Sequence, residues 1–121
     1  MSLGMANGLE DEIMGEQIKE YAKREVQFGR EVPDPIPPGE IFVFVENGVV
    51  QSVDFLCPCG CGVSCYTPVV VEGQPKHSRQ WIYSEKDGKV TLSPSIKFTG
   101  GCKSHFNITE GRGEIHGDSG K

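Results

Sequence analysis

The hydrophobic positions of this chain follow two different periods. Between residues 10 and 28, Met14, Ile18, Tyr21, Ala22 and Val26 recur every three or four positions, which predicts an amphipathic helix. Glu10, Asp11 and Glu12 at its start, with Lys23 and Arg24 near its end, complement a helix macrodipole, and Gly29 ends it. Residues 30–39 carry four prolines, which forbid helix and favour an extended connector. From Glu40 onward the period becomes two. Ile41, Val43 and Val45 alternate with Phe42 and Phe44, the pattern of a strand covered on both faces. Asn47-Gly48 predicts a tight hairpin, with a return strand from Val49 to about Leu56. Val69 to Val71 reads as a short strand. Trp81 to Tyr83 and Val90 to Leu92 flank Lys86-Asp87-Gly88-Lys89 as a second hairpin. Ser93-Pro94-Ser95 reads as a break, Ile96 to Phe98 as a further short strand, and Phe106 to Thr109 with Glu114 to His116 as a last pair.

These elements predict a single α+β fold that is mostly β. An N-terminal helix and proline-rich linker over 1–39 lead into a β-rich metal-binding domain over 40–116, with a flexible tail at 117–121. The β-rich part is expected to be a small antiparallel sheet or open barrel, with Trp81, Ile96, Phe98, Phe106 and Ile108 in its core. Composition adds a requirement. With 121 residues, 16 glycines and 8 prolines, the core is small and the loops long, so a covalent or metal staple would contribute much of the stability. The net charge of −5 and the absence of a lysine or arginine stripe argue against nucleic acid as a partner. No run approaches the ~20 apolar residues of a membrane-spanning helix, so no membrane role is expected. The N-terminus lacks a basic stretch followed by an apolar one, so the chain reads as cytoplasmic.

Candidate chemistry is concentrated in two short stretches. Cys57-Pro58-Cys59-Gly60-Cys61-Gly62 places three thiols in five residues, and Cys102-Lys103-Ser104-His105 follows about forty residues later. Clustered thiols in a chain without an export signal read as metal ligands before disulfides. Zinc takes four thiolate or imidazole ligands, usually from two chelating loops, and adjacent glycines let backbone amides turn toward the sulfurs. Cys57, Cys59, Cys61, Cys102 and His105 are thus five candidates for four places. The preferred set is Cys59, Cys61, Cys102 and His105, with Cys57 fifth and Cys57/Cys61 as the rival pairing. Cys65 reads as a small buried hydrophobe, and His77 and His116 as solvated loop histidines.

The combination Cys-Pro-Cys-Gly-Cys-Gly, Trp81, Leu92-Ser93-Pro94-Ser95-Ile96 and Gly101-Cys102-x-Ser104-His105-Phe106-x-Ile108 resembles a family of small bacterial and phage proteins catalogued as a domain of unknown function. The resemblance covers roughly residues 40–115. It implies a compact metal-binding β domain. Relatives encoded near ubiquitin-like and E1-like proteins imply a protein partner of that kind. Three functions remain open from the sequence. The first is a non-enzymatic zinc module that presents a surface to a protein partner, with all four coordination places filled by protein. The second is a zinc- or thiol-dependent enzyme, with an open metal position or a spare thiolate such as Cys57. Neither cysteine loop carries a carboxylate to act as its general base, and this favours the module over an enzyme. The third is a Rieske-like iron–sulfur centre, from which the chain departs by placing cysteine where the first histidine would stand.

Overall fold

The structure is a computed structural model, and it describes residues 17–75, 79–98, 101–117 and 119. Eight strands form one sheet whose spatial order is the order of the chain. They are β1 (Ala22–Gln27), β2 (Glu40–Glu46), β3 (Val49–Phe55), β4 (Thr67–Val71), β5 (Trp81–Lys86), β6 (Lys89–Lys97), β7 (His105–Thr109) and β8 (Arg112–Ile115). The β1–β2 and β4–β5 pairs are parallel, and the other neighbours run antiparallel. The sheet curls so that its two ends are stitched together. Tyr21 N–H donates to the Gly111 carbonyl, Gly113 N–H donates to the Lys19 carbonyl, and Glu20 bridges to Arg112.

The helix expected over residues 10–28 is not formed in its described part, residues 17–28, and the α+β assignment is corrected to all-β among the described residues. Residues 10–16, with Met14, lie outside the described part. Gln17 to Tyr21 is irregular apart from a bridge at Glu20, Ala22–Gln27 is strand, and no helix occurs among the described residues. The physical reason lies in β2. Ile41 to Phe44 are all buried, so the backbone edge of β2 needs a hydrogen-bonding partner, and β1 supplies one along its whole length. Helix propensity in Ala-Lys-Arg-Glu-Val-Gln amounts to only tenths of a kcal/mol per residue, and such tertiary pairing overrides it. Tyr21, placed on a helical stripe by its spacing, instead sits in the barrel core, where its hydroxyl donates to the Leu56 carbonyl.

The turns follow their local chemistry. Asn47-Gly48 and Asp87-Gly88 both have positive φ at the two central positions, as two-residue hairpin turns with the right twist require. Glu110-Gly111 does the same between β7 and β8 without the asparagine or aspartate that would have announced it. The break expected at Ser93-Pro94-Ser95 is instead a bulge inside one long strand: β6 runs from Lys89 to Lys97, and its register with β7 shifts between Leu92 and Ile96.

The core lies inside the curl. Phe55, Phe106, Ile41, Val43, Val53 and Ile108 are fully buried. Edge-to-face contacts link Tyr21 to Phe55, Phe55 to Phe106, and Phe106 to Phe98. Ile96 is buried with this group, whereas Trp81 and Phe98 are partly buried against it. The closing seam is tight at Gly113. A Cβ there would stand 2.9 Å from the Ile18 carbonyl oxygen, 2.9 Å from Pro58 Cβ and 3.2 Å from Tyr21 Cε2. All three neighbours are backbone or ring atoms, not the far end of a flexible side chain. Gly113→Ala is therefore expected to destabilise by ~1–3 kcal/mol, read as a lower urea midpoint at unchanged m-value.

Candidate metal centre and serine–histidine pair

The loop after β3 and the loop before β7 meet at one end of the barrel. They bring Cys57, Cys59, Cys61 and Cys102 together, with the four Sγ atoms within 4.8 Å of one another. Cys57 Sγ lies 3.3 Å from Cys59 Sγ and 3.9 Å from Cys102 Sγ. Four thiolates around one zinc at ~2.3 Å would stand ~3.8 Å apart, so the spacing suits a single tetrahedral ion. A multi-iron cluster spreads its ligands over several metals and needs a wider cage.

Each sulfur also receives a backbone N–H from two residues ahead. Cys59 N–H donates to Cys57, Cys61 N–H to Cys59, Val63 N–H to Cys61, and Ser104 N–H to Cys102. At three of the four, the residue between sulfur and donor has positive φ: Gly60 (87°), Gly62 (88°) and Lys103 (53°). The left-handed conformation turns the next amide back toward the preceding sulfur, which explains the glycines of the first loop. The Ser104 hydroxyl adds a contact to Cys102 Sγ at 3.1 Å. Such donors stabilise thiolate charge and orient metal ligands.

Electrostatics without a cation run the other way. A hydrogen bond with Cys65 and burial push the Cys57 thiol far up, and burial pushes Cys59 up and Cys61 to about 12. Burial also raises Cys102, but the Ser104 hydroxyl and amide outweigh it and bring the thiol down to about 7. Four thiolates packed this closely require a positive ion among them. The geometry and donor set therefore fit a metal held by Cys57, Cys59, Cys61 and Cys102. Cys65 lies in the hydrophobic core, 5% exposed, outside this group.

His105, the fifth candidate, is not brought to the sulfurs. It is the first residue of β7, and its Nε2 lies 2.9 Å from Ser95 Oγ. Ser95 sits at the end of the β6 bulge, immediately before pairing with β7 resumes at Ile96 and Phe106. Bulges re-aim side chains in this way. The Trp81 indole N–H donates to the Ser95 carbonyl at 3.4 Å, which holds the bulge from the β5 side. His116 stacks on the His105 ring, with centroids 4.1 Å apart and planes 11° apart. His77 lies outside the described residues. A separate cleft of about 500 Å³ opens by Glu20, Lys23, Lys89 and Arg112. Lys89 is six residues from Ser95 along β6, or ~20 Å, so the Lys89 side of this cleft is far from the serine–histidine pair.

In the sequence, Ser95 stands out only as part of a motif. A serine ten residues before a histidine carries no local signal of contact, and Ser93-Pro94-Ser95 looks like a loop. The signal that remained was the fixed Leu92-Ser93-Pro94-Ser95-Ile96 pattern itself.

No curated protein and no solved structure matches the chain. A family model described as bacterial ubiquitination-like system serine protease (BubE) matches residues 28–116, which include the cysteine tetrad, Ser95 and His105. The chain belongs to the BubE family.

Proposed function

We propose that this protein is a serine protease of a bacterial ubiquitination-like system, with Ser95 as nucleophile and His105 as general base, and with a zinc ion in the cysteine tetrad as a structural staple. The observation that carries this reading is the 2.9 Å separation of Ser95 Oγ and His105 Nε2. It is a nucleophile–base contact of the kind acyl transfer needs. The family description supports the same reaction class. A ubiquitin-like protein, or a conjugate of one, is the substrate class that fits that system. The scaffold reading ranks below it because it leaves this pair without a task.

In the proposed reaction, Ser95 O–H donates to His105 Nε2, and Oγ attacks the scissile carbonyl as the proton passes to that nitrogen. The leaving amine takes the proton as the C–N bond breaks. Water then hydrolyses the Ser95 ester with His105 again as base. The tetrad takes no part in these steps. Four cysteines close a tetrahedral site and leave no position for water. Its contribution is placement: Cys102 lies three residues before His105, and the buried Ser104 between them donates to Cys102 and accepts from Phe98 N–H through its carbonyl.

A fluorophosphonate probe tests the reading without knowledge of the substrate. Ser95 Oγ would attack phosphorus, fluoride would leave, and His105 would take the proton. The expected result is one adduct per chain, mapped to Ser95 in metal-loaded protein. Folded, metal-loaded protein that stays unlabelled, or is labelled elsewhere, would overturn the assignment.

A further inference from the structure

The Ser95–His105 pair has a neighbour, a second imidazole, whose geometry is too specific for a solvated loop residue. His116 follows β8, is exposed to solvent, and lies face to face with the His105 ring at 4.1 Å. Its Nε2–H donates to the Asn107 side-chain oxygen. Asn107 is two residues beyond His105 on β7, so both side chains project from one face of the sheet. The backbone repeats the connection: His116 N–H donates to the His105 carbonyl, and His105 N–H donates to Ser119 Oγ at 3.1 Å.

We propose that His116 is a positioning residue: clamped by Asn107, its ring covers one face of the His105 imidazole and fixes the plane in which Nε2 meets Ser95. The inference rests on the assignment of Ser95 and His105 as nucleophile and base. The torsion that turns an imidazole about its Cβ–Cγ bond has broad minima, so packing rather than intrinsic preference must set the ring plane. A swing of that ring moves Nε2 off the serine hydroxyl while leaving the fold intact. The stack prevents the swing, and Asn107 prevents the stack from sliding. The chain of support is therefore Asn107 to His116 to His105 to Ser95, all on the outer face of β6–β8, where little apolar surface is buried.

The test measures fluorophosphonate inactivation of the full-length, metal-loaded protein, resolved into the maximal rate kinact and the half-saturation KI. In His116→Ala, kinact is expected to fall by about tenfold, the scale of a modest misplacement of a catalytic group, with KI unchanged. His116→Phe restores a flat ring over His105 and is expected to recover most of that loss. Asn107→Ala, which keeps the ring but frees it, is expected to fall between the two, and it carries the test if His116→Ala proves unstable. Metal content and melting temperature should match the parent in all three. A purely structural role would move stability and not kinact. Wild-type kinact in His116→Ala, or a phenylalanine variant no better than alanine, would overturn the inference while leaving Ser95 as nucleophile. Absence of Ser95 labelling in the parent protein would remove the dyad itself, and the inference with it.

Discussion

Removal of the metal, by a strong chelator or by Cys57→Ser, is expected to unfold the barrel and to silence Ser95 with it. Cys57 is fully buried, and its sulfur touches those of Cys59 and Cys102. Structural zinc supplies ~10–16 kcal/mol of apparent binding free energy to small domains, whereas net domain stability is ~5–15 kcal/mol. Loss of the ion is thus comparable to the whole stability. It also frees the turn that delivers Ser104 and His105 to β7. Elemental analysis should find about one zinc per chain in freshly purified protein. Thermal melts followed by circular dichroism should show the cooperative transition lost or lowered by tens of degrees after stripping. Acid should act like the chelator, since the ligands bind as thiolates and metal release takes up protons. A Cys57→Ser or Cys102→Ser protein with the parent melting temperature would show that the tetrad is not a staple. Iron with matching sulfide in place of zinc would return the centre to redox chemistry.

Features encoded by neighbouring residues were legible before the fold was known, and features that depend on distant partners were not. Asn47-Gly48 and Asp87-Gly88 announce their turns because positive φ is a local demand that few residue types meet. The cysteine loops were legible for the same reason: sulfur, left-handed residue and donor amide lie within three positions. Which ligands meet was a different question. Cys102-x-x-His105 has a normal chelating spacing, but the turn at Lys103 sends Cys102 to the tetrad and His105 onto the strand, toward Ser95. Cys57, placed fifth by spacing, lies with Cys59, Cys61 and Cys102. The N-terminal segment departs from its helical pattern because period and propensity describe an isolated chain, whereas its conformation is set by an edge of β2 some twenty residues away. The family that the chain belongs to is described as part of a bacterial ubiquitination-like system, loosely consistent with the kind of partner the resemblance implies.

Ser95→Ala is expected to abolish fluorophosphonate labelling and to lower hydrolysis by ~10³-fold or more, with fold and metal content intact. The side chain is only partly buried, lies in a bulge, and its hydroxyl bonds His105. Removing its hydroxyl leaves no cavity in the core and no unpaired group that water could not reach. The melting temperature should therefore shift little, by less than ~1 kcal/mol in stability. His105→Gln is the companion variant. It keeps a polar group of similar reach but cannot accept the serine proton at neutral pH, so labelling should slow by ~10²–10⁴-fold, the contribution of a general base. The pair of variants separates the two enzyme mechanisms that the chain could support. If Ser95→Ala and His105→Gln lose reactivity while a thiol alkylator fails to label metal-loaded protein, the chemistry is that of a serine hydrolase and the cysteines serve structure. If both variants keep full hydrolytic activity and alkylation of one cysteine removes it, the nucleophile is a thiolate and the Ser95–His105 contact is a strand-to-strand tie. The two variants should also be non-additive: Ser95→Ala/His105→Gln is expected to be no slower than Ser95→Ala alone, because two groups that act on one proton fail together.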